Sequence, residues 1–380
     1  MAEGSSTGAA THTDLGLYVD ASLDIADAAV AAERVGFSTL WVYDSPLVFS
    51  DTTTACLLAL QATKSISIGP GVANPRQRPA VYTAQFVATM DALAPDRVVY
   101  GLGTGNSAAR SLGQRPSTMD DVVGHARTVR QLVRGDTADV DGVPIRLLHQ
   151  RLPWIRTGGR VPIWLSAFGP RGRRSAASVA DGILVRWEGP QALRSARRDI
   201  AEGARAAGRD PGAIRVGVVT MIYPIESEDE LSTDVARQSL GPLVVSRLRY
   251  LVANRTPLDM VAPELRSGVA AYRSYMEQLP SETRHLDNYL GYLVFVPEEL
   301  EEFVSPEAMR GLGCIGEPSA VAHELQLMRS AGVDHVSLQI AGDQVDFCRR
   351  LEQLLRPVCP DFFSSGPRTG VRSAPTAEVL

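Results

Sequence analysis

Buried strand candidates alternate with helix candidates along almost the whole chain, and this alternation limits the possible folds more than any other feature. The first unit is the apolar run LGLYVD at 15–20 followed by a helical pattern at 22–36, which starts at a serine and stops at a glycine. Further strand candidates lie at 38–45, 65–72 and 96–105, and a helix candidate separates each from the next. Strands linked by helices form parallel sheets with right-handed crossovers.

The same alternation resumes after a helix candidate at 118–134 and a polar stretch. The remaining strand candidates lie at 161–169, 181–187, 213–224 and 333–342. The chain therefore contains eight strand candidates in alternation with helices, which is the pattern of a (β/α)8 barrel. We predict an α/β fold in which residues 14–362 form a single (β/α)8 TIM barrel domain.

Three segments depart from the alternation. Residues from about 222 to 312 contain helical patterns and form an insertion after the seventh strand candidate, at the end of the barrel where a pocket forms. This insertion is either a packed helical decoration or a substrate lid or dimer surface. Residues 1–13 and 363–380 are rich in Ser, Thr, Gly, Pro and Ala, and we expect both to be flexible tails.

Composition excludes several classes of protein. The formal net charge of -5 argues against nucleic acid as an electrostatic partner. Apolar runs are far shorter than the roughly 20 residues that cross a bilayer, and the N-terminus lacks the basic and apolar regions of a secretory signal, so we expect a cytoplasmic protein without a membrane partner. The 4 cysteines and 6 histidines are scattered without metal-ligand spacing, which predicts no metal site.

Two glycine-rich segments follow strand candidates and open helix candidates. They are GLGTGNSAAR at 101–110 and SAFGPRGRR at 166–174, the second with three arginines near the expected helix start. Glycine lets backbone N–H groups approach a phosphate closely, and a helix N-terminus favours its charge. Either segment alone could be a turn required only by packing, and neither has the P-loop or dinucleotide-binding pattern. Two such segments on one rim favour a large phosphorylated cofactor.

These segments and others in the same order resemble the luciferase-like monooxygenase superfamily. The resemblance is carried by STLWVYDS, GPGVANP, VATMDALAPDRVVYGLGTGNSAARSLG, PIWLSAFGP, ADGILV and EPSAVAHELQLMRSAGVDHVSLQIAGD. Within the superfamily the chain is most similar to the branch that uses the deazaflavin F420, such as the methylenetetrahydromethanopterin reductases. The resemblance covers about residues 14–358 and is weakest in the insertion. It implies a TIM barrel of the bacterial luciferase-like type with a flavin or deazaflavin across its carboxyl-terminal mouth, and by analogy a homodimer.

The resemblance also implies which residues hold the cofactor. They are Gly71, Val72, Ala73, Asn74, Gly103, Thr104, Gly105, Ala167, Phe168 and Gly169. By the family pattern, the peptide at 71–73 would be a non-prolyl cis bulge behind the central face of the ring. The N–H groups at 167–169 would bind the cofactor phosphate, and residues 103–105 would line the cofactor face together with Asn74. The walls around the substrate would come from residues 43–50, 186–188 and the insertion.

Three catalytic candidates complete this prediction: Asp44, Tyr18 and Asn106. Tyr18 stands where methylenetetrahydromethanopterin reductases carry an acid, and Asn106 stands where many relatives carry Asp or Glu, so the missing carboxylates argue against methanopterin as the substrate. Asp44 and Tyr18 would polarise or protonate the substrate, and Asn106 would orient the cofactor. Each residue also has a purely structural explanation, since Tyr18 could pack, Asn106 could cap a helix and Asp44 could cap a strand end.

The resulting functional hypothesis is an F420H2-dependent oxidoreductase of specialised metabolism. It would transfer a hydride from the reduced deazaflavin to an electron-poor C=C, C=N or C=O group of a small molecule. The alternative is a two-component FMN-dependent monooxygenase that uses FMNH2 and O2, and a third possibility is a non-catalytic barrel that has lost its cofactor. For either enzyme, a separate flavin or F420 reductase would supply the reduced cofactor.

Overall fold

The computed structural model describes residues 13–363, and the structural statements below concern that range. The strands are Asp14–Val19 (β1), Thr39–Val42 (β2), Ser67–Pro70 (β3), Tyr100–Leu102 (β4), Ala138–Val140 (β5), Val143–Ile145 (β6), Ile163–Ser166 (β7), Gly182–Arg186 (β8), Arg215–Thr220 (β9), Ile222–Pro224 (β10), Cys314–Gly316 (β11) and His335–Leu338 (β12). The predicted tails lie outside the described residues except for Thr13 and Phe363, and both of these are buried.

Helices follow most of these strands. They are Ile25–Val35 (α1), Thr52–Ala62 (α2), Ala80–Leu93 (α3), Asn106–Arg110 (α4), Met119–Arg134 (α5), Pro170–Ala176 (α6), Pro190–Ala206 (α7), Asp234–Ala253 (α8), Pro263–Gln278 (α9), Arg284–Asp287 (α10), Pro306–Arg310 (α11), Pro318–Ser330 (α12) and Gln344–Arg350 (α13). Within the described range, no helix is both long enough and apolar enough to cross a membrane.

Eight of the strands form one parallel barrel. Their order is β3-β2-β1-β12-β9-β8-β7-β4, so each of the eight predicted strands contributes to the same sheet. The two outermost strands meet through backbone hydrogen bonds, from the Ile68 N–H to the Arg97 carbonyl (2.9 Å) and from the Ala73 N–H to the Gly101 carbonyl (3.0 Å). These bonds close the sheet, and the predicted (β/α)8 fold is confirmed.

Local sequence signals explain where the helices begin and end. Gly36 ends α1 in the left-handed conformation (φ 106°), and Thr118 and Asp121 form a reciprocal capping box at the start of α5. The serine predicted to open the first helix, Ser22, lies outside it, because α1 begins only after Asp24. The glycine stop was thus a better guide to the boundary than the serine start.

A layer of large rings fills the barrel interior. Trp41 Nε1 donates a hydrogen bond to His335 Nε2 (3.1 Å), and the rings of Trp41 and Trp164 meet edge to face with centroids 6.2 Å apart. A Cβ at Gly16 would lie 2.5 Å from His335 Nε2, so glycine is required opposite that ring. Burial lowers the pKa of His335 to about 3, and the imidazole is therefore neutral.

The insertion is tied to the barrel at both of its ends. The strand predicted over 213–224 is interrupted at Met221, because only β9 pairs within the barrel whereas β10 pairs in parallel with β11. Helices α8 to α11 lie between β10 and β11 in the chain. The antiparallel hairpin of β5 and β6, which lies in the polar stretch before β7, was not predicted from the sequence.

Candidate active site

A cavity of about 850 Å³ lies at the carboxyl-terminal end of the barrel strands. Every strand of the barrel contributes a lining residue at or just beyond its end: Tyr18, Tyr43, Gly71, Gly103, Ser166, Arg186, Thr220 and Gln339. Residues of the insertion form the opposite wall. This is the end of a (β/α)8 barrel where binding pockets form, and the volume lies in the range of small-molecule and cofactor sites.

Most of the predicted site residues line this cavity. They are Tyr18, Asp44, Gly71, Val72, Gly103, Thr104, Gly105, Asn106, Ala167, Phe168 and Gly169. Ala73 and Asn74 are not part of the lining, which corrects their predicted place. The carbonyl of Ala73 accepts from the N–H of Gly103 (2.9 Å), and Asn74 is 1% exposed and so close to Gly105 that a Cβ there would lie 2.6 Å from its side chain. Both residues support the lining from behind.

The peptide bond between Gly71 and Val72 is cis, as the resemblance predicts. Gly71 lies directly against the aromatic layer, since a Cβ would approach Trp41 Cβ to 2.5 Å and Tyr18 Cε1 to 2.9 Å. A Cβ at Gly103 would likewise lie 2.8 Å from Val72 Cγ2. No larger residue fits at 71 or 103, so backbone and the Val72 side chain form this part of the cavity floor.

Asp44 is the acid on the floor of the cavity. The hydroxyl of Thr52 donates to Asp44 Oδ1 (3.1 Å) and also to the carbonyl of Tyr43 (2.8 Å). Burial raises the pKa of the Asp44 carboxyl, while Arg78 opposes that shift. Asp44 therefore holds a proton to a higher pH than an exposed aspartate, which is the property expected of a general acid.

Tyr18 belongs to a stack of aromatic rings beside this acid. Its ring lies on that of Tyr43 (centroids 5.3 Å apart), and Tyr43 lies on Phe49 (5.5 Å). Burial raises the pKa of the Tyr18 phenol far above its ordinary value. The hydroxyl is therefore a neutral hydrogen-bond donor at every pH at which the protein would work.

Asn106 is the first residue of α4, and it does not cap that helix. The N-cap is Gly105, which is in the left-handed conformation (φ 73°), and the side-chain carbonyl of Asn106 accepts from Arg110 Nε (2.8 Å). The helix-capping explanation for Asn106 is therefore wrong. Arg110 instead holds the amide in one orientation at the cavity wall.

The loop between β7 and α6 presents unpaired N–H groups to the cavity. The Ala167 N–H donates to the Leu184 carbonyl (3.0 Å), which corrects its predicted part in a phosphate cradle. The N–H groups of Phe168 and Gly169 have no hydrogen-bond partner among the described residues, and a Cβ at Gly169 would meet nothing within 4 Å. Two residues that line the cavity thus have backbone donors that are free within the described range.

Two of the three arginines that follow this loop, Arg173 and Arg174, are held by acids of the next helix. Arg173 and Arg174 form salt bridges with Asp199 of α7 (2.7 and 2.8 Å), and Arg174 also pairs with Glu202 (2.5 Å). These side chains hold α6 against α7. Positive charge reaches the loop from two sides, because Arg173 also donates to the Phe168 carbonyl (2.5 Å) and the Arg186 guanidinium of β8 lies over the rings of Phe168 (4.6 Å) and Tyr250 (4.0 Å).

Sequence reasoning missed the residues that the insertion contributes. From α8 and the turns after α10 come Ser246, Arg247, Arg249, Tyr250, Tyr289, Tyr292 and Leu293. Burial, and then the adjacent Arg186, lower the pKa of Arg247, and Glu188 opposes them. The only available signal was the pair of arginines two apart in a helical pattern, and it does not distinguish a cavity wall from a solvated face. Among the described residues, no group of three or more His, Cys, Asp and Glu could hold a metal ion.

A model of a protein family described as luciferase-like monooxygenase matches residues 4–335. The chain is 29% identical over 248 residues to 5,10-methylenetetrahydromethanopterin reductase of Methanolobus tindarius, which covers 64% of this chain and 74% of that protein. It is 26% identical over 296 residues to F420-dependent glucose-6-phosphate dehydrogenase of Mycolicibacterium gilvum (72% of this chain, 87% of that protein).

Among solved structures, the chain is similar to coenzyme F420 dependent tetrahydromethanopterin reductase from Methanopyrus kandleri. The TM-score is 0.64 at 20% identity, and the match covers 91% of this chain and 99% of that one. At this level of identity the likeness shows the fold, and the eight-stranded barrel agrees with it.

Proposed function

Since the chain belongs to the luciferase-like monooxygenase family, we propose that it is an F420-dependent oxidoreductase. Support comes from the relatives, because the glucose-6-phosphate dehydrogenase is named as F420-dependent and the structural neighbour as coenzyme F420 dependent. When bound, reduced F420 would supply a hydride for an electron-poor C=C, C=N or C=O group of a small molecule. The identities stay below 30%, so the substrate is not transferred from these relatives.

The observation that carries this proposal is that one cavity has arginines and free N–H groups at one end, the cationic end, and a proton donor and a hydrogen-bond donor at the other, the donor end. At the cationic end, the N–H groups of Phe168 and Gly169 lie beside Arg186, and within residues 13–363 neither these groups nor the buried Arg247 Nε has a hydrogen-bond partner. These groups fit the phosphate of the cofactor. At the donor end, Tyr18 and Asp44 are suited to act on the reacting atoms. Gly71 and Val72 lie between these two side chains and the loop of Phe168 and Gly169.

The residues at the donor end would supply the proton that a reduction needs. An acceptor that gains a hydride also gains negative charge, which a proton or a hydrogen-bond donor must neutralise. Asp44 can give a proton because its pKa is raised, and Tyr18 can donate a hydrogen bond without losing its proton. The insertion covers the opposite side of the cavity and would exclude water from the reacting atoms.

Equilibrium binding of F420 and of FMN to the purified protein, followed by fluorescence quenching, tests this proposal. We expect micromolar affinity for F420 and at least tenfold weaker binding of FMN. Arg247→Gln should weaken F420 binding about tenfold, because it removes a charged donor from the phosphate. Arg237→Gln is the matched control, since Arg237 lies on the same helix but donates to the Val304 carbonyl (3.3 Å) outside the cavity.

The reverse preference would overturn the proposal in favour of the FMN-dependent monooxygenase. Absence of binding for both cofactors would instead favour the non-catalytic barrel. Equal F420 affinity in the Arg247→Gln variant and the wild type would contradict the assignment of the cationic end to the phosphate.

A further inference from the structure

Arg249 of α8 is a buried cation whose terminal nitrogens are unused. Its side chain lines the cavity, yet the residue is only 3% exposed. Its Nε donates to Asn288 Oδ1 (3.3 Å), whereas both terminal nitrogens lack a hydrogen-bond partner in the described part of the chain. A guanidinium keeps its charge in proteins, and burying it without an anion is strongly unfavourable. We therefore expect an anion that is not part of the protein to neutralise the charge of Arg249.

The neighbours of Arg249 hold its guanidinium in place without neutralising it. The rings of Tyr289 and Tyr292 lie 5.1 and 5.4 Å from the guanidinium carbon, within the range of cation–π attraction. Asn288, which accepts from Arg249, also accepts from the Tyr272 hydroxyl (2.7 Å) and is thereby fixed. The fork of terminal N–H groups is thus oriented before any ligand arrives, which reduces the entropy lost on binding.

The acids that line the cavity are engaged elsewhere. Asp44 accepts from Thr52, Glu324 accepts from Trp187 Nε1, and the charge of Glu188 acts on Arg247. Over residues 13–363, no carboxylate forms a salt bridge with Arg249. The missing negative charge must therefore come from a bound molecule, and two parallel N–H groups fit a carboxylate or a phosphate.

The position of Arg249 connects it with the reacting end of the site. Its neighbour Tyr292 lines the same cavity as Tyr43, and Tyr43 stacks on Tyr18. The cationic end assigned to the cofactor phosphate has its own arginines, Arg186 and Arg247. Arg249 therefore stands on the substrate side of the cavity.

We propose that the substrate of this enzyme is an anion and that Arg249 binds its carboxylate or phosphate group. The proposal rests on the proposed function, since it takes the other end of the cavity to be occupied by the cofactor. Arg249 is a substrate-binding residue in this account, and it would hold the acceptor carbon close to Tyr18 and Asp44.

Titration calorimetry with benzoate, inorganic phosphate and the neutral analogue benzamide tests the proposal, on the protein both loaded with F420 and free of it. We expect benzoate or phosphate to bind the loaded wild type at least tenfold more tightly than benzamide. Arg249→Gln should weaken that binding at least tenfold and change the affinity for F420 less than twofold. Arg249→Lys, which keeps the charge but loses the fork, should lie between the two. Arg237→Gln should bind like the wild type.

Three results would overturn the proposal: no binding of either anion to the wild type, equal binding by Arg249→Gln, or a loss of F420 affinity in Arg249→Gln as large as the loss of anion affinity. Thermal unfolding of each variant shows that it is folded, and Arg249→Lys serves if Arg249→Gln is not. If the wild type fails to bind F420 but still binds an anion through Arg249, the proposed function is wrong while the anion site stands. If F420 binds and neither anion does, the proposed function stands and the anion site is wrong.

Discussion

Asp44 and Tyr18 come from adjacent strands, and burial affects the two side chains with different consequences. It raises the pKa of both groups, but only the pKa of the carboxyl moves toward neutral pH, where the group can exchange a proton. The pKa of the phenol moves further above neutral pH, so the phenol keeps its proton. We therefore assign proton transfer to Asp44 and hydrogen bonding to Tyr18.

Substitution of each residue should separate these roles. With the first acceptor found to be reduced, Asp44→Asn should lower turnover about 100-fold, the lower end of the usual contribution of a general acid. Tyr18→Phe should lower it about tenfold, the cost of about 1.4 kcal/mol for one hydrogen bond. The measurement is the rate at which F420H2 is oxidised, and F420 affinity should change less than threefold in both variants.

Tyr82→Phe is the matched control for the tyrosine, because Tyr82 is 64% exposed and does not line the cavity. It should turn over like the wild type. If Tyr18→Phe and Asp44→Asn both leave turnover intact, neither residue has the assigned role.

At the scale of single residues, the sequence predicted which residues lie at the cavity better than it predicted their hydrogen-bond partners. The family pattern correctly indicated the cis bond at Gly71 and placed Asp44 and Tyr18 at one cavity. It could not show that the Ala167 N–H is already bonded to the Leu184 carbonyl, because that bond depends on the neighbouring strand. Arg249 escaped prediction for the same reason, since its isolation from acids is a property of the folded insertion.

At the scale of elements, the contact between α6 and α7 determines where the phosphate loop lies. Arg173 and Arg174 bind Asp199 across this contact, and Gly203 allows the two backbones to approach closely. A Cβ at Gly203 would lie 2.1 Å from the carbonyl oxygen of Arg174. Because α6 begins directly after Gly169, any displacement of α6 also moves the free N–H groups of the loop.

Gly203→Ala should therefore destabilise the protein and weaken F420 binding together. We expect a loss of about 1–3 kcal/mol in the free energy of unfolding, the usual cost of overpacking, and weaker cofactor binding. Urea unfolding and fluorescence quenching measure the two effects. Gly124→Ala on α5 is the matched control, because a Cβ there meets nothing within 4 Å, and it should stabilise the protein by about 0.5–1 kcal/mol. Equal stability of the two variants would contradict this explanation.

The elements that the sequence predicted correctly are those whose pairing follows the alternation of strands and helices. The strand expected over 213–224 was wrong in its second part, because β10 has the apolar composition of a barrel strand but pairs with β11. Nothing local distinguishes these two partners. The helices of the insertion were indicated by their periodicity, but periodicity does not say which side faces the cavity.

At the scale of the whole molecule, the neutral His335 in the barrel interior makes stability depend on pH. The folded state keeps His335 uncharged down to a pH of about 3, whereas the unfolded chain takes up a proton near pH 6.5. Between these values the unfolded state binds one more proton, so the free energy of unfolding falls as the pH falls.

We expect the wild type to lose about 2 kcal/mol more than His335→Gln when the pH is lowered from 7 to 5, at about 1.4 kcal/mol for each pH unit below 6.5. Urea unfolding at both pH values gives the comparison. Burial raises the pKa of Asp20 to about 6 and acts in the opposite direction, but this effect is common to both proteins and cancels. An equal loss in the two proteins would show that His335 does not carry the acid sensitivity.

The whole fold was the most predictable level, because the order of eight alternating units leaves few ways to build one sheet. Both the (β/α)8 barrel and membership of the family are confirmed. The homodimer, the cytoplasmic location and a partner reductase stay predictions, since each concerns a surface or a surrounding that a single chain does not specify.

The pairing of β10 with β11 has a consequence for how such enzymes diversify. Ile222 lies opposite Cys314, so the insertion leaves the barrel and returns to it at neighbouring points. It carries Arg249 and its tyrosines and also Arg247 of the cationic end, while the loops assigned to the cofactor at 103–105 and 167–169 belong to the barrel itself. Substitutions around Arg249 can therefore alter the choice of substrate without changing the barrel loops assigned to the cofactor, whereas exchange of the whole segment would also remove Arg247.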